Sequence, residues 1–194
     1  ANVDMRSSLE QANIPVAYFD IQHFSDYLRM LDICTQLTGC PERYTQYGEE
    51  VGKVIDQAIA RQDGSAPTVL CMRTTGSSCK VKGSQDFLLG EMLADLGCVN
   101  VADQDSSLLE DLSMEAIMAA DPDYIFVLDR DAAIQTEGAQ LAQEIMENEL
   151  VMGTDAYKNG NIVYLAHPAV WYTAEGGITA LDLMLQDLES ELLG

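Results

Sequence analysis

Four of the basic residues in this sequence stand at or just after the ends of predicted strands. Arg73 and Arg130 follow two apolar runs closely, and Lys80 and Lys82 belong to a short β-prone segment. On an open parallel sheet, ligands bind beyond the carboxyl ends of the strands. The positions therefore favour a cationic site for an anionic ligand. The alternative is that these side chains only balance neighbouring carboxylates in solvated loops.

An aromatic pair, Trp171 and Tyr172, follows the last predicted strand, and Trp171 is the only tryptophan of the chain. Aromatic side chains in such a loop can line a pocket. The phenol of Tyr172 can donate a hydrogen bond or ligate a hard ferric ion. Equally, the pair can simply pack against the last helix.

Known catalytic motifs are absent from the sequence. It contains no glycine-rich nucleotide-binding signature, no nucleophile elbow and no H-E-x-x-H zinc motif. The two histidines, His23 and His167, lie in separate predicted elements, so a histidine-rich metal site is not expected. We therefore expect a protein that is not an enzyme, with no catalytic residues, no metal ligands and no resident cofactor.

The charge balance restricts the partners. The chain has 32 acidic and 10 basic residues among 194, with a formal net charge of -22, which disfavours nucleic acid and anionic lipid. With 47% hydrophobic residues it has enough apolar material for a core. The five cysteines form no C-x-x-C pair. Cys71 and Cys79 flank a turn and suit either a disulfide across it or buried reduced thiols.

The hydrophobic pattern predicts an α/β fold. Residues 14–19 form a β-prone run, and apolar positions over about 24–59 repeat as in one long helix interrupted near Gly39. Strands and helices then alternate, which is typical of a parallel sheet covered on both faces, a three-layer αβα arrangement. The predicted strands cover 68–72, 79–82, 99–101, 123–128 and 162–165.

The order of these segments resembles the class III periplasmic binding proteins, which serve ABC importers of iron siderophores, haem and cobalamin. The resemblance depends on short motifs in the right order, and the segments Asn159-Gly160-Asn161-Ile162-Val163-Tyr164-Leu165 and Trp171-Tyr172 look most like the ferric-siderophore branch. This family has two α/β lobes joined by a rigid helix. The resemblance implies a remnant of the N-terminal lobe at 1–20, a long connecting interdomain helix at 21–62 and a C-terminal ligand-binding lobe at 66–194. We expect most of the N-terminal lobe to be missing.

The resemblance also assigns residue roles. Glu115 matches the glutamate that docks on the membrane permease, although a carboxylate in the first turn of a helix is also favoured by the helix dipole alone. Arg73, Arg130, Trp171 and Tyr172 match cleft positions, and Lys80 and Lys82 join them as ligand-binding candidates. With no obvious histidine beside Tyr172, recognition of the chelator's anionic groups is favoured over direct metal ligation.

The expected function is the substrate-binding component of an ABC importer. It would capture a ferric siderophore, haem or cobalamin-like ligand and deliver it to a membrane permease. The full-length parent would be extracellular, as a membrane-anchored lipoprotein or a periplasmic protein. One alternative is a lobe of an intracellular chelatase or cofactor-assembly enzyme. Another is a structural domain that self-associates through an uncovered apolar face.

Overall fold

The computed structural model describes residues 5–75, 78–85, 87–133, 140–173 and 178–192. The turn expected at 74–78 falls partly on Gly76 and Ser77, which lie outside the described residues. Five strands form a sheet: Thr68–Thr75 (β1), Ser78–Lys82 (β2), Val99–Asn100 (β3), Tyr124–Asp129 (β4) and Ile162–Tyr164 (β5).

Helices cover both faces of this sheet, and short 3₁₀ turns at Val101–Asp103 and Val151–Gly153 complete the layers. The α-helices are Arg6–Gln11 (α1), Phe24–Leu37 (α2), Glu49–Ala60 (α3), Leu88–Asp95 (α4), Ser107–Glu110 (α5), Met114–Ala120 (α6), Arg130–Ala133 (α7), Gln140–Met146 (α8), Asp155–Lys158 (α9), Pro168–Thr173 (α10) and Ile178–Leu192 (α11).

The strand order is β2-β1-β4-β5, and β3 lies beside the first residues of β1. Strands β1, β3, β4 and β5 are parallel, whereas β2 is antiparallel to β1. Only two residues separate β1 from β2, and such a short connection permits only a hairpin. The predicted α/β class with a mostly parallel sheet between helices is confirmed.

The core consists of two apolar clusters, one on each face of the sheet. Alternate side chains of each strand enter opposite clusters, as the pleat requires. Val69 and Cys71 of β1 pack with helices α2, α3, α4 and α11, whereas Leu70 and Met72 pack with helices α6 and α8. The predicted stripe of α11 faces the first cluster, since Leu181, Leu185 and Leu188 are buried.

The segment predicted as one long interrupted helix forms two helices, so that prediction is wrong. Helix α2 ends at Leu37, and the next residues close it in a Schellman motif. Gly39 adopts a left-handed φ of 72°, and the backbone N–H of Cys40 donates to the carbonyl of Thr35 at 2.9 Å. A π-helical turn over Tyr44–Gly48 then leads into α3.

Helices α2 and α3 pack side by side with opposite directions. A Cβ placed on Gly48 would lie 3.2 Å from Leu31, and one placed on Gly52 would lie 3.5 Å from Leu28. The later residue, Gly52, therefore lies beside the earlier residue of α2, Leu28, so the two helices are antiparallel. We call this pair the helical hairpin; its predicted role as a connection between two lobes stays a prediction.

The β-prone run at 14–19 has no partner strand among the described residues. Residues 14–20 form neither a helix nor a strand. Ile14, Val16 and Tyr18 are 49%, 38% and 38% exposed. A β-prone run forms a strand only where a partner supplies the ladder hydrogen bonds. In the described ranges, no helix is long and apolar enough to cross a membrane.

The register of the β1–β2 hairpin excludes a disulfide between Cys71 and Cys79. Cys71 lies opposite Lys82, whereas Cys79 lies opposite Thr74. The two cysteines are three positions apart along the ladder, so their side chains point to opposite faces. Both are free thiols. Burial raises the pKa of Cys79 to about 12 and raises that of Cys71 as well.

Candidate functional site

Two arginines and a tyrosine meet at the carboxyl edge of the sheet, and we call this surface the arginine edge. Half-buried Arg73 lies in β1, beside Leu128 of β4 in the ladder, and exposed Arg130 begins α7 directly after β4. Among the described residues, neither guanidinium forms an ion pair. Arg73 lies within the strand rather than after it, because β1 is longer than predicted.

Tyr172 completes the arginine edge from helix α10, which packs against α7. Its hydroxyl is buried and has no hydrogen-bond partner among the described residues. Burial raises the pKa of Tyr172, the charges of Arg73 and Arg130 lower it, and those of Asp129 and Asp131 raise it, with a net rise. The phenol therefore keeps its proton at neutral pH and is available as a hydrogen-bond donor.

Two buried carboxylates flank Arg130 in the sequence. Asp129 and Asp131 are 6% and 9% exposed, and the backbone N–H of Asp131 donates to Asp129 Oδ1 at 2.9 Å. Their charges act on the Tyr172 phenol in the opposite sense to those of Arg73 and Arg130. The positive charge around this phenol is therefore partly offset, and Arg130 is the more exposed of the two arginines.

The two lysines lie on the edge strand β2. Lys80 pairs in register with Arg73, so both side chains share one face of the sheet. Lys82 pairs with Cys71, further from the carboxyl edge of β1. Both lysines line a cleft beside β2, together with Ser84, Glu91, Asp103 and neighbouring residues. The structure therefore brings Lys80 to the arginine edge and places Lys82 away from it.

Trp171 lies in the core rather than at the arginine edge. It is 3% exposed, belongs to the first apolar cluster, and donates its indole N–H to Asp187 Oδ2 at 2.9 Å. A side chain this buried cannot stack on a ligand without repacking the core. We therefore leave it out of the proposed ligand contacts.

The residues after β5 form a short helix, α10, where a loop was predicted. Pro168 occupies its first position, where proline's fixed φ suits a helix and its missing N–H is not needed. Successive helical residues turn by about 100°. This rotation explains how Trp171 enters the core while the adjacent Tyr172 lies close enough to Arg73 and Arg130 for their charges to act on its phenol.

Asp187 of α11 was not among the predicted site residues. Its side chain is 2% exposed and contacts His167 as well as Trp171. The sequence feature that could have indicated it is its position directly before Leu188, on the apolar face of a helix. His167 is held by this carboxylate at the start of α10.

Glu115 is exposed in the first turn of α6, on a different element from the arginine edge. The hydroxyl of Ser113 accepts from the backbone N–H of Ala116 at 3.1 Å and lies 3.2 Å from Glu115 Oε2, to which it donates. Ser113 is thus the N-cap of α6. The carboxylate of Glu115 faces solvent and is accessible to a partner.

Within the ranges that the structure describes, no three His, Cys, Asp or Glu side chains are grouped closely enough to hold a metal ion. The polar groups of the arginine edge are guanidinium and phenol donors.

A family model described as periplasmic binding protein matches residues 3–169 of the chain. The petrobactin-binding protein YclQ of Bacillus subtilis is 33% identical over 104 residues, which cover 52% of this chain and 32% of YclQ. The ferric-anguibactin-binding protein FatB of Vibrio anguillarum is 31% identical over 77 residues, covering 40% of this chain and 23% of FatB. The chain thus matches less than two thirds of either relative.

The fold is similar to that of the periplasmic catecholate-siderophore binding protein VctP of Vibrio cholerae. The TM-score is 0.78 at 21% identity, over 96% of this chain and 68% of that one. This likeness concerns the fold, whereas the family model covers most of the sequence. The chain belongs to the periplasmic binding protein family.

Proposed function

We propose that the chain is the ligand-binding part of a solute-binding protein of an ABC importer. The ligand is a ferric siderophore or a similar anionic metal chelate. The arginine edge is the observation that carries this proposal, because it combines Arg73, Arg130 and an unpaired phenol at the carboxyl end of a mostly parallel sheet.

The chemistry of the three side chains fits such a ligand. Catecholate, carboxylate and hydroxamate groups bind ferric iron through oxygen atoms that carry negative charge. A guanidinium binds such oxygens through two parallel N–H donors. The protonated hydroxyl of Tyr172 adds a third donor, and Lys80 adds a nearby exposed charge. Since the chain carries a net charge of -22, these cations provide local complementarity to an anion.

The relatives favour an iron chelate. YclQ is named for petrobactin, FatB for ferric anguibactin and VctP for catecholate siderophores. Haem and cobalamin-like chelates are the other ligands of the same chemical kind. Because these relatives are binding proteins, capture of a ligand is favoured over the activity of an intracellular chelatase lobe.

Delivery to a permease is the second part of the proposal. Exposed Glu115 is the candidate docking residue, since its carboxylate is accessible and can pair with cationic residues of a membrane partner. The protein acts outside the cytoplasm, in the periplasm or held at the membrane by a lipid anchor.

The test titrates the natural full-length protein with the ferric complex of 2,3-dihydroxybenzoate and measures the affinity by calorimetry. Arg73→Gln and Arg130→Gln should each weaken binding by about tenfold or more, the usual size for a lost charge-assisted hydrogen bond. Lys158→Gln is the control, because Lys158 lies on α9 before β5, pairs with Asp155 at 3.7 Å and has a side chain that is 58% exposed. Unchanged affinity in both arginine variants contradicts the proposed site.

A further inference from the structure

The buried carboxylate of Asp187 accepts three hydrogen bonds from the segment that begins α10. Its Oδ1 lies 2.7 Å from His167 Nδ1. Its Oδ2 accepts from the backbone N–H of His167 at 3.2 Å and from the indole N–H of Trp171 at 2.9 Å. Asp187 of α11 therefore holds both His167 and Trp171. These two residues are four positions apart and enclose the first turn of α10.

Such a carboxylate is costly to bury unless its oxygens are paired. The three donors satisfy it, and they come from one short segment rather than from scattered parts of the fold. Because an isolated helix of this length is not stable by itself, its position depends on contacts with the rest of the protein. The carboxylate of Asp187 fixes the first turn of α10 against α11.

Tyr172 directly follows Trp171. When the indole is held toward α11, the next side chain points to the arginine edge, where Arg73 and Arg130 act on its phenol. The hydroxyl has no partner of its own among the described residues. Its place between the arginines is therefore set by the helix that carries it and by no hydrogen bond of the hydroxyl itself.

We propose that Asp187 is a positioning residue for the ligand site. Through His167 and Trp171 it sets the orientation of α10, and thereby places the Tyr172 hydroxyl beside Arg73 and Arg130. Asp187 does not touch the ligand itself. This inference rests on the proposed function, because it assigns Tyr172 to ligand binding.

The test is a double-mutant cycle in the natural full-length protein, with the ferric complex of 2,3-dihydroxybenzoate as the probe. Asp187→Asn should weaken binding by up to about tenfold, the loss expected when the Tyr172 hydroxyl no longer donates to the ligand. In a Tyr172→Phe background the same change should weaken binding no further, because the phenol through which Asp187 acts is already absent. Asp182→Asn, on the same helix and bonded to Gln186 at 3.0 Å, should leave the affinity unchanged.

Trp171 provides a readout that does not depend on the ligand. As the only tryptophan, it reports the position of α10 through quenching by acrylamide. Quenching should increase in Asp187→Asn and stay at the wild-type level in Asp182→Asn. If Asp187→Asn does not fold, His167→Gln replaces it. The side chain of His167 is 42% exposed, and its substitution removes only one of the side-chain hydrogen bonds of Asp187.

The outcomes separate the two proposals. Equal losses of affinity from Asp187→Asn with and without the Tyr172 hydroxyl would show a role confined to stability and overturn the positioning role. A wild-type protein that ignores the probe would contradict the proposed function. In that case the positioning of α10 is decided by quenching alone, and unchanged quenching in Asp187→Asn overturns it.

Discussion

At the scale of single residues, Tyr172 carries a polar group that the fold of the described residues leaves unpaired. Its hydroxyl is buried, yet no described residue pairs with it. An unsatisfied buried polar group costs stability in the free protein. Binding of an anion between Arg73 and Arg130 would recover that cost, since the phenol then donates to the ligand.

Tyr172→Phe should therefore separate stability from affinity. We expect the free energy of unfolding in urea to stay the same or rise slightly, because the lost hydroxyl has no partner in the folded chain. Affinity for the ferric complex of 2,3-dihydroxybenzoate should fall by about fivefold to tenfold. The matched control is Tyr164→Phe, which removes a phenol that is 48% exposed. A clear loss of stability without loss of affinity would contradict this role.

His23 makes a pH-dependent contribution at the start of the helical hairpin. Its Nδ1 lies 3.0 Å from Asp95 Oδ1, and its Nε2 lies 3.8 Å from Glu91 Oε2. Partial burial lowers the pKa of His23, but the hydrogen bond and charge of Asp95 and the charges of Glu91 and Asp26 outweigh it, so the pKa is raised above 6.5. The charged imidazole thus stabilises the folded state.

This shift predicts how His23→Gln changes stability with pH. A raised folded-state pKa gives a contribution that is fully present below about pH 6.5 and is lost as the pH rises through the folded value. The difference in free energy of unfolding between wild type and variant should therefore be largest in mild acid and shrink toward pH 8. Urea unfolding at a series of pH values measures it, and a difference that grows with pH would contradict the assignment.

The sequence was sufficient to place the arginines near the ends of strands, but it did not show which residue of the aromatic pair is buried. Arg73 and Arg130 are near the strand ends where the apolar runs predicted them. Trp171 and Tyr172 are adjacent in sequence, and only the helical rotation of α10 and the carboxylate of Asp187 decide which one is buried. Those contacts join residues 15 or more positions apart, and no local pattern contains them.

At the scale of elements, the α/β alternation was predictable because each strand and helix carries its own hydrophobic period. The helical hairpin was not. Both halves have the same period as a single long helix, and the reversal depends on a short turn around Gly39. The β-prone run at 14–19 stays outside the sheet among the described residues, since strand formation requires a partner that local sequence alone does not supply.

Two helical glycines test how closely the elements pack. A Cβ on Gly90 of α4 would lie 2.6 Å from the backbone Cα of Ser84, which has little room to move. Gly90→Ala should lower the free energy of unfolding by roughly 1–3 kcal/mol, the usual cost of overpacking. Gly52→Ala is the matched control in α3, where the nearest atom is 3.5 Å away on Leu28.

Gly52→Ala should be neutral or stabilising by up to about 1 kcal/mol, because alanine favours the helix over glycine. Urea unfolding of both variants measures the contrast. Equal effects of the two substitutions would contradict the close approach of α4 to the loop that precedes it.

At the scale of the whole molecule, the chain carries a net charge of -22, Arg73 and Arg130 lie at the arginine edge, and exposed Glu115 lies on another element. This separation predicts that capture and delivery can be changed independently. Glu115→Lys should leave the affinity for the ferric chelate unchanged and lower uptake by cells by about tenfold or more, as when an interfacial charge meets a like charge. The control is Glu42→Lys, in the turn of the helical hairpin, where the side chain is also exposed.

Uptake of the radiolabelled ferric chelate by a strain that depends on this importer measures that prediction. Equal uptake by the Glu115→Lys and Glu42→Lys strains would contradict a docking role for Glu115. A loss of chelate affinity in Glu115→Lys would show instead that Glu115 acts on ligand capture.

Direct titration of the natural full-length protein tests best whether the arginine edge binds an anionic ferric chelate. Calorimetry with ferric and iron-free 2,3-dihydroxybenzoate should show that the wild type binds the ferric complex. The double substitution of Arg73→Gln and Arg130→Gln should weaken this binding at least tenfold, whereas Lys158→Gln should leave it unchanged. Binding that is independent of both arginines, or no binding of catecholate, hydroxamate, haem or cobalamin ligands by the wild type, would contradict the account.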